Sequence, residues 1–382
     1  EKYAERIWDY LNQFGHINCF LTDKQLPKIP PKIPPEEKKR RSVIVIGAGA
    51  AGIACARQLQ NQGCVVIILE ARNRIGGRCH TINHQQWNGN GVDLGASVIT
   101  GIQRNPCSVL VRQSLAKTKV LNRDVLPLYT ENGPVAKIHD VEMSEYFNVL
   151  IKGSEIMKGK SEALEDHRIQ VEKASESGEC AELVEDDLSN DTLEVVSLSE
   201  ALQKVHKTYQ LKKLNPELQT VLNWHIAHLE YGCGSGLDSV SMMHWDQDED
   251  EAVGMTFSGD HVMIQKGYVH LLERMSADLE IRYNQEVKKI VRRERSINII
   301  TQLGNEFLAD CCVCTLPLGV LQKGSVEFVP SLTPKRLEAI NNLGAGNLNK
   351  TVMLFEKKFW RNEDYFGFCC QAESGADNSD EN

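Results

Sequence analysis

A chain of 382 residues is long enough for two or three domains, and its 41% hydrophobic and 25% charged shares are those of an ordinary globular protein. A net charge of −9 argues against direct, sequence-specific nucleic-acid binding and suits a cationic ligand. No apolar run reaches the ~20 residues that cross a bilayer, so no membrane partner is expected.

Residues 1–20 read as one amphipathic helix, with Ile7, Trp8, Leu11 and Phe14 at helical spacing and Gly15 as its stop. Residues 21–41 read as a linker held extended by Pro27, Pro30, Pro31, Pro34 and Pro35. The linker closes on Lys38-Lys39-Arg40-Arg41, which reads either as a nuclear import signal or as a solvated linker end. Val43–Ile46 is a short buried strand, Ile53–Gln62 a helix stopped by Gly63, and Val65–Leu69 a second buried strand. That succession is a βαβ unit with parallel strands. Residues 151–200, rich in Glu, Asp, Ser and Lys, read as a poorly ordered insertion. Helical pattern resumes over 197–231, strands are expected at about 280–300 and 306–314, and Asn349–Phe355 reads as a further strand. The twelve cysteines show no disulfide spacing, and a reduced intracellular chain with buried thiols is expected. Cys311, Cys312 and Cys314 fall on a strand, where neighbours face opposite ways, so they cannot share one tetrahedral metal.

The first strand runs into Gly47-Ala48-Gly49-Ala50-Ala51-Gly52. Gly47 permits the tight turn, Gly49 lets the main chain approach a pyrophosphate, and Gly52 allows close packing of the following helix. The helix start then offers N–H groups and a positive dipole end to the phosphates. Glu70 ends the second strand about 20 residues on, where a carboxylate accepts from ribose hydroxyls and disfavours a 2′-phosphate. Arg72, Arg74 and Arg78 follow, with the pair Gly76-Gly77 between them. Arginines here suit phosphate, and the glycines let the chain run close to a large cofactor, which favours FAD over NAD.

With these residues in hand the sequence resembles the FAD-dependent amine oxidases. Trp224-His225, Leu229-Glu230-Tyr231, His244-Trp245-Asp246-Gln247-Asp248, Thr315–Leu321 and Gly346-Asn347-Leu348-Asn349-Lys350 narrow the likeness to lysine-specific histone demethylases. The opening helix with Gly15-His16-Ile17-Asn18 resembles the end of the SWIRM domain that precedes the oxidase in that subfamily. The resemblance implies an α/β fold: a Rossmann-like FAD-binding domain of discontinuous segments (42–121 and 257–346) with an α+β substrate domain (122–256 and 347–382). Residues 1–20 would end a SWIRM-like helical domain, 21–41 would be the linker, and 151–196 the disordered insertion. It also implies a chain that stops short of the family's closing segment, which would leave the flavin pocket open on one side.

Carried over by position, Gly47, Gly49, Gly52, Glu70, Arg72 and Arg78 would bind FAD, Ala96, Ser97 and Val98 would flank the flavin, and Val287 would meet the adenine end. Lys350 is the implied catalytic residue, a lysine that holds a water against the flavin and supports its reoxidation by oxygen. Thr100, His228, Tyr231, Asp246, Asp248, Glu249 and His261 would lie on the substrate side. The acidic run from Asp246 would meet a basic histone tail, or is a solvated loop; His261 reads equally as a structural histidine. The implied reaction takes hydride from an N-methyl carbon, and the resulting iminium hydrolyses to amine and formaldehyde while oxygen becomes hydrogen peroxide. A nuclear protein working with chromatin-complex subunits is implied. Polyamine oxidase activity on the same fold, or a truncated and non-catalytic chromatin-binding role, are the alternatives. His228 stands where the family places Asn and Gly232 where it places another small residue, which bears on substrate preference. About 35 residues between Glu194 and Leu229 are too few for the long helical tower of one demethylase branch.

Overall fold

The computed structural model describes residues 40–83, 89–122, 126–157, 196–246, 257–361 and 363–370. The reading of residues 1–20 as a helix, the linker prolines, and the acidic residues Asp248 and Glu249 lie outside these. The chain divides into two compact units: Glu1–Leu121, Phe257–Ala345 and Lys350–Met353 in the first, Asn122–Thr256, Gly346–Asn349 and Leu354–Asn382 in the second.

The first unit opens with β1 (Ser42–Ile46), α1 (Ala50–Asn61) and β2 (Val65–Leu69), followed by β3 (Thr81–Asn83), β4 (Gly91–Asp93), β5 (Val98–Ile99), α2 (Pro106–Ser114) and β6 (Thr118–Val120). The second unit holds β7 (Leu128–Thr130), β8 (Gly133–Pro134), α3 (Lys137–Met157), α4 (Leu198–Thr208) and α5 (Pro216–Cys233). The chain then returns to the first unit as β9 (Val262–Ile264), α6 (Val269–Ser276), β10 (Glu280–Arg282), β11 (Val287–Arg292), β12 (Ile297–Thr301), β13 (Glu306–Ala309), β14 (Cys311–Cys314), α7 (Leu318–Gln322), β15 (Glu327–Val329) and α8 (Pro334–Asn342). A short β16 (Gly367–Phe368) belongs again to the second unit.

The nucleotide-type sheet of the first unit runs β10-β2-β1-β14, with every pairing parallel. β1 lies inside it, which is why Val43, Ile44, Val45 and Ile46 form an unbroken apolar run with at most 5% exposure. α1 packs on this sheet through Ile53 and Ala56, both fully buried beside Val45 and Ile68. Burying an isoleucine of this kind is worth about 1.5–3 kcal/mol. The buried Arg57 of α1 reaches the end of α6, where its Nε donates to the Met275 carbonyl at 3.0 Å and its Nη2 to the carbonyls of Met275 and Ala277. The guanidinium thereby satisfies carbonyls that a helix end leaves without partners. A second sheet, β13-β12-β11-β15, packs through Val287, Ile290 and Ile299 against Ile44, Ile46 and Leu69.

In the second unit α3, α4 and α5 share a core of Met143, Tyr146, Val149, Leu150, Leu202, Val205 and Val221. α4 starts on a capping box of Ser197 and Glu200; α5 starts on Asn215 with Pro216 in its first turn and ends on Gly234 in left-handed conformation. A Cβ on Gly153 would fall 2.5 Å from a Val205 methyl, so this glycine sets the close approach of α3 to α4.

Three sequence expectations are corrected. Residues 151–157 are not part of an unstructured insertion: they complete α3, with Ser154 and Met157 buried, because the apolar stripe of that helix continues through them. The helical stretch 197–231 is two helices, broken ahead of Pro216. Asn349–Phe355 forms no strand; Val352 to Phe355 are 41–71% exposed, and no described strand pairs with them. An apolar run alone does not make a strand when its main chain has no ladder partner.

Candidate functional site

The glycine run forms the turn from β1 into α1. Gly47 has φ +104, a conformation that L side chains rarely take, and a Cβ there would fall 2.8 Å from Thr315 Oγ1. A Cβ on Gly52 would collide with the Gly47 carbonyl oxygen, so this glycine closes the helix onto the turn itself rather than only onto the strand. Gly49 differs from both: a Cβ there would meet nothing within 4 Å. Its backbone, at φ −79, would accept alanine, so the protein leaves open the space that this side chain would fill. Gly49 is also the N-cap of α1, which has no side-chain cap and no acid in its first turn. A helix start with open space before it and no carboxylate of its own suits an anion.

Gly76 and Gly77 complete the cradle. Gly76 N–H donates to the Ala48 carbonyl at 2.8 Å, bridging it to Gly49, and Gly77 lies 3.5 Å from the Gly49 Cα when given a Cβ. Arg74, with one of its nitrogens 3.0 Å from the Ile75 carbonyl and both terminal nitrogens 3.1 Å from that of Gly77, fixes the pair from the side. Glu70 is buried, and its two oxygens accept from the N–H groups of Ala48 and Arg72 at 2.7 and 2.8 Å. Each carboxylate oxygen keeps a second lone pair, so Glu70 shapes the turn and still has capacity for a hydroxyl. Arg72 and Arg78 are exposed. Arg74 and Arg72 also add to burial in pulling the pKa of His80 below the usual histidine value, which reports a cationic field at this place. Buried main chain, open space at Gly49 and local positive charge together fit the pyrophosphate and ribose of FAD.

Lys350–Met353 lie in the same unit, not in the second one to which sequence reasoning assigned 347–382, and the Lys350 side chain is bonded there. Nζ donates to the Asp93 carbonyl at 3.1 Å, the Gly95 carbonyl at 2.8 Å and Ser97 Oγ at 2.9 Å. These three acceptors match the three protons of an ammonium group. Burial pushes the Lys350 pKa below the usual lysine range, with the Asp93 carboxylate opposing the shift. The Asp93–Ser97 stretch is itself pinned: the Asp93 carboxylate accepts from Tyr268 N–H at 2.9 Å and from the Thr81 hydroxyl, and a Cβ on Gly95 would collide with the Arg78 carbonyl. Ala96 donates through its N–H to that same carbonyl at 3.1 Å. The turn thus ties Arg78 of the cradle stretch to the lysine clasp. Val98 begins β5, and the buried Val287 begins β11.

The residues expected on the substrate side are distributed as follows. Thr100 is exposed, and its carbonyl accepts from Asn105. His261 Nδ1 accepts from Gly101 N–H at 3.2 Å. On α5, His228 stacks on Trp224 with ring centres 5.0 Å apart and on Tyr231 at 6.1 Å, giving an aromatic ladder along one helix face. Tyr231 is 60% exposed at the end of that ladder. Asp246 is buried at 8% exposure, which corrects the expectation of a solvent-facing acid at this position. Sequence reasoning missed Tyr268 and Thr81 and the partners of Asp93 and Thr315, which are too distant along the chain for any local pattern to signal. Arg74 was visible as one of three arginines, but not as the one that folds back onto the glycines. Among the described residues no group of His, Cys, Asp or Glu is arranged to hold a metal ion.

Residues 50–381 match the family described as flavin containing amine oxidoreductase. The chain is 36% identical to "Lysine-specific histone demethylase 1 homolog 2" of Oryza sativa subsp. japonica, over 94% of this chain and 42% of that protein. It is 37% identical to "Lysine-specific histone demethylase 1 homolog 1" of Arabidopsis thaliana, over 95% of this chain and 40% of that one. It is 31% identical to "Polyamine oxidase 2" of Arabidopsis thaliana, over 95% and 66%. The chain therefore spans less than half the length of the demethylases it matches.

Proposed function

Because the chain belongs to the flavin containing amine oxidoreductase family, we propose that it serves the oxidative demethylation of mono- and dimethyl-lysine on a basic histone tail. Bound FAD supplies the two-electron acceptor for the N-methyl carbon–hydrogen bond and is returned to its oxidised form by oxygen. The observation that carries the reading is the clasp of Lys350 Nζ on Asp93, Gly95 and Ser97, in the same unit as the glycine cradle. The clasp fixes a cation at the turn that we assign to the flavin ring, with Ala96, Ser97 and Val98 along it. Gly47, Gly49, Gly52, Glu70, Arg72 and Arg78 are assigned to the nucleotide half and Val287 to its adenine end. Lys350 orders that turn and sets a positive charge on it, and burial lowers its pKa from the usual lysine range. The aromatic ladder of Trp224, His228 and Tyr231 offers faces to a methylated ammonium. The likeness to demethylases at 36 and 37% identity favours peptide over free polyamine as substrate. Work on chromatin in the nucleus, with complex subunits as partners and residues 1–20 as the end of a SWIRM-like domain, belongs to the same proposal.

The test is peroxide release by the purified flavin-loaded protein from mono-, di- and trimethylated histone peptides and from spermine. The proposal expects turnover of the first two alone, and its loss in Lys350→Met with flavin still bound. Turnover of spermine without turnover of peptide would replace it with the polyamine oxidase reading. Bound flavin with no turnover of any substrate would favour a non-catalytic chromatin-binding role.

A further inference from the structure

Within the first unit, and apart from the glycine cradle and the lysine clasp, lies a cavity of about 560 Å³. It is lined by the chain before β4 (Gly89, Asn90), the end of α2 (Ser114–Lys117), the turn after β9 (Gln265, Lys266) and one side of α6 (His270, Arg274). Four of these side chains are cationic or can become so: Lys117, Lys266, His270 and Arg274. Among the described residues that line it none is acidic. The nearest carboxylate to enter the account is Glu273, whose oxygen stands 3.8 Å from His270 Nδ1 at the edge and is itself exposed. In a chain of net charge −9, such a concentration of one sign in a concave site is a local inversion of the field. Burial pushes the His270 pKa down, Lys266 and Arg274 lower it further, and Glu273 opposes the shift.

We infer that this cavity is an anion site that takes the phosphoryl group of a small soluble molecule. Three lines lead there. The volume falls in the range of small-ligand pockets, about 300–1,000 Å³. Arg274 offers a planar fork and the two lysines offer point charges, a donor set that suits oxygens spread around phosphorus. The amide side chains of Asn90 and Gln265 are neutral donors lining the same space. The shape selects among phosphate sources. A nucleic-acid duplex presents its phosphates along convex ridges and is gripped by open basic faces, whereas a recess of this size admits one or two phosphoryl groups. Leu115, 88% exposed in left-handed conformation at the mouth, gives an apolar body of the ligand a surface to lie on.

The experiment uses the full protein saturated with FAD, so that the cradle at Gly49 is occupied, and inorganic pyrophosphate as the probe. Calorimetric titration should show one site whose affinity falls as salt is raised. Lys266→Gln and Arg274→Gln, both at exposed positions, should each weaken it by about tenfold, the loss of one charge-assisted contact, with the flavin spectrum and the melting temperature unchanged. The His270 ring signals in a proton NMR pH titration should move to a higher midpoint when pyrophosphate is bound. Absence of binding to the FAD-loaded protein, or binding that neither substitution weakens, would overturn the inference. So would duplex DNA that binds in a manner sensitive to both substitutions while pyrophosphate does not compete.

Discussion

Gly52 and Gly49 sit three residues apart in one motif, yet the structure predicts opposite consequences for the same added methyl group. In Gly52→Ala the new Cβ would fall 1.9 Å from the Gly47 carbonyl oxygen. A carbon and a carbonyl oxygen approach no closer than about 3.3 Å, so the start of α1 must move by about 1.4 Å. That helix is locked by Ile53 and Ala56, both fully buried, and by the Arg57 bonds to the end of α6. Forcing an extra carbon into such packing costs about 1–3 kcal/mol. The better helix propensity of alanine offsets at most about 1 kcal/mol. Because the clashing atom is a main-chain oxygen at 1.9 Å, which cannot rotate away, the cost lies toward the upper end of that range and the clash wins. A net loss of up to about 2 kcal/mol corresponds to a melting temperature lower by up to about 8 °C. In Gly49→Ala the Cβ meets no protein atom within 4 Å and φ is already −79, so the apoprotein should melt with the wild type. The methyl instead occupies the approach to the helix start. Displacing two charge-assisted hydrogen bonds of ~1.5 kcal/mol each weakens FAD on the order of 100-fold. The assay is thermal melting of the two deflavinated variants, followed by FAD titration read by quenching of flavin fluorescence. Gly49→Ala with wild-type FAD affinity would refute the assignment of that open space. A Gly52→Ala protein that equals the wild type in both readouts would refute the packing argument.

Other outcomes follow from the same contacts. Glu70→Gln puts an amide NH2 against the N–H of Ala48 or of Arg72, leaving one of these donors without an acceptor at a buried site; apoprotein stability should fall by about 1–3 kcal/mol in denaturant titration. His225, partly buried on α5 with Nε2 3.2 Å from an Asp140 oxygen, has its pKa pushed down first by burial, with Asp140 opposing. Its folded-state pKa thus lies below the unfolded value of about 6.5. The unfolded chain binds the proton more readily in that window, so the stability this histidine contributes is complete above the unfolded value and is lost as pH falls through the folded one. His225→Gln should flatten that acid limb in melts taken downward from about pH 7, through and below the unfolded value of about 6.5; an unchanged limb would contradict the assignment. Gly153→Leu should unfold the second unit preferentially, because a Cβ alone already lies 2.5 Å from Val205. Hydrogen exchange confined to α3 and α4 would show it.

The nucleotide half of the site was legible because its signals are local. An apolar run, three glycines and a carboxylate lie within one βαβ unit, and each residue type is demanded by backbone geometry or packing within that unit. The lysine clasp was not legible in the same sense. Lys350 could be singled out by likeness, but its three acceptors lie more than two hundred residues earlier in the chain, and nothing in its own neighbourhood specifies them. Arg57 illustrates the same limit: nothing near it in the sequence signals that it is buried and bonded to the end of α6, more than two hundred residues later. Two errors have a common root. Ile151 to Met157 were grouped by composition with the acidic stretch that follows, although Ile156 and Met157 continue the stripe of α3. Residues 349–355 were read as a strand from their apolar content, although a strand is made by its partner. Asp246 was grouped with the acids that follow it and turned out buried, since charge runs say nothing about which member folds inward.

The most direct test of the central claim is anaerobic mixing of the flavin-loaded protein with a dimethyl-lysine histone peptide while the visible flavin absorbance is followed. Loss of that absorbance with dimethyl peptide, none with the trimethyl peptide, which lacks a nitrogen lone pair, and none with spermine is the predicted result. Retention of full absorbance with the dimethyl peptide, or equal loss with the trimethyl one, would contradict it.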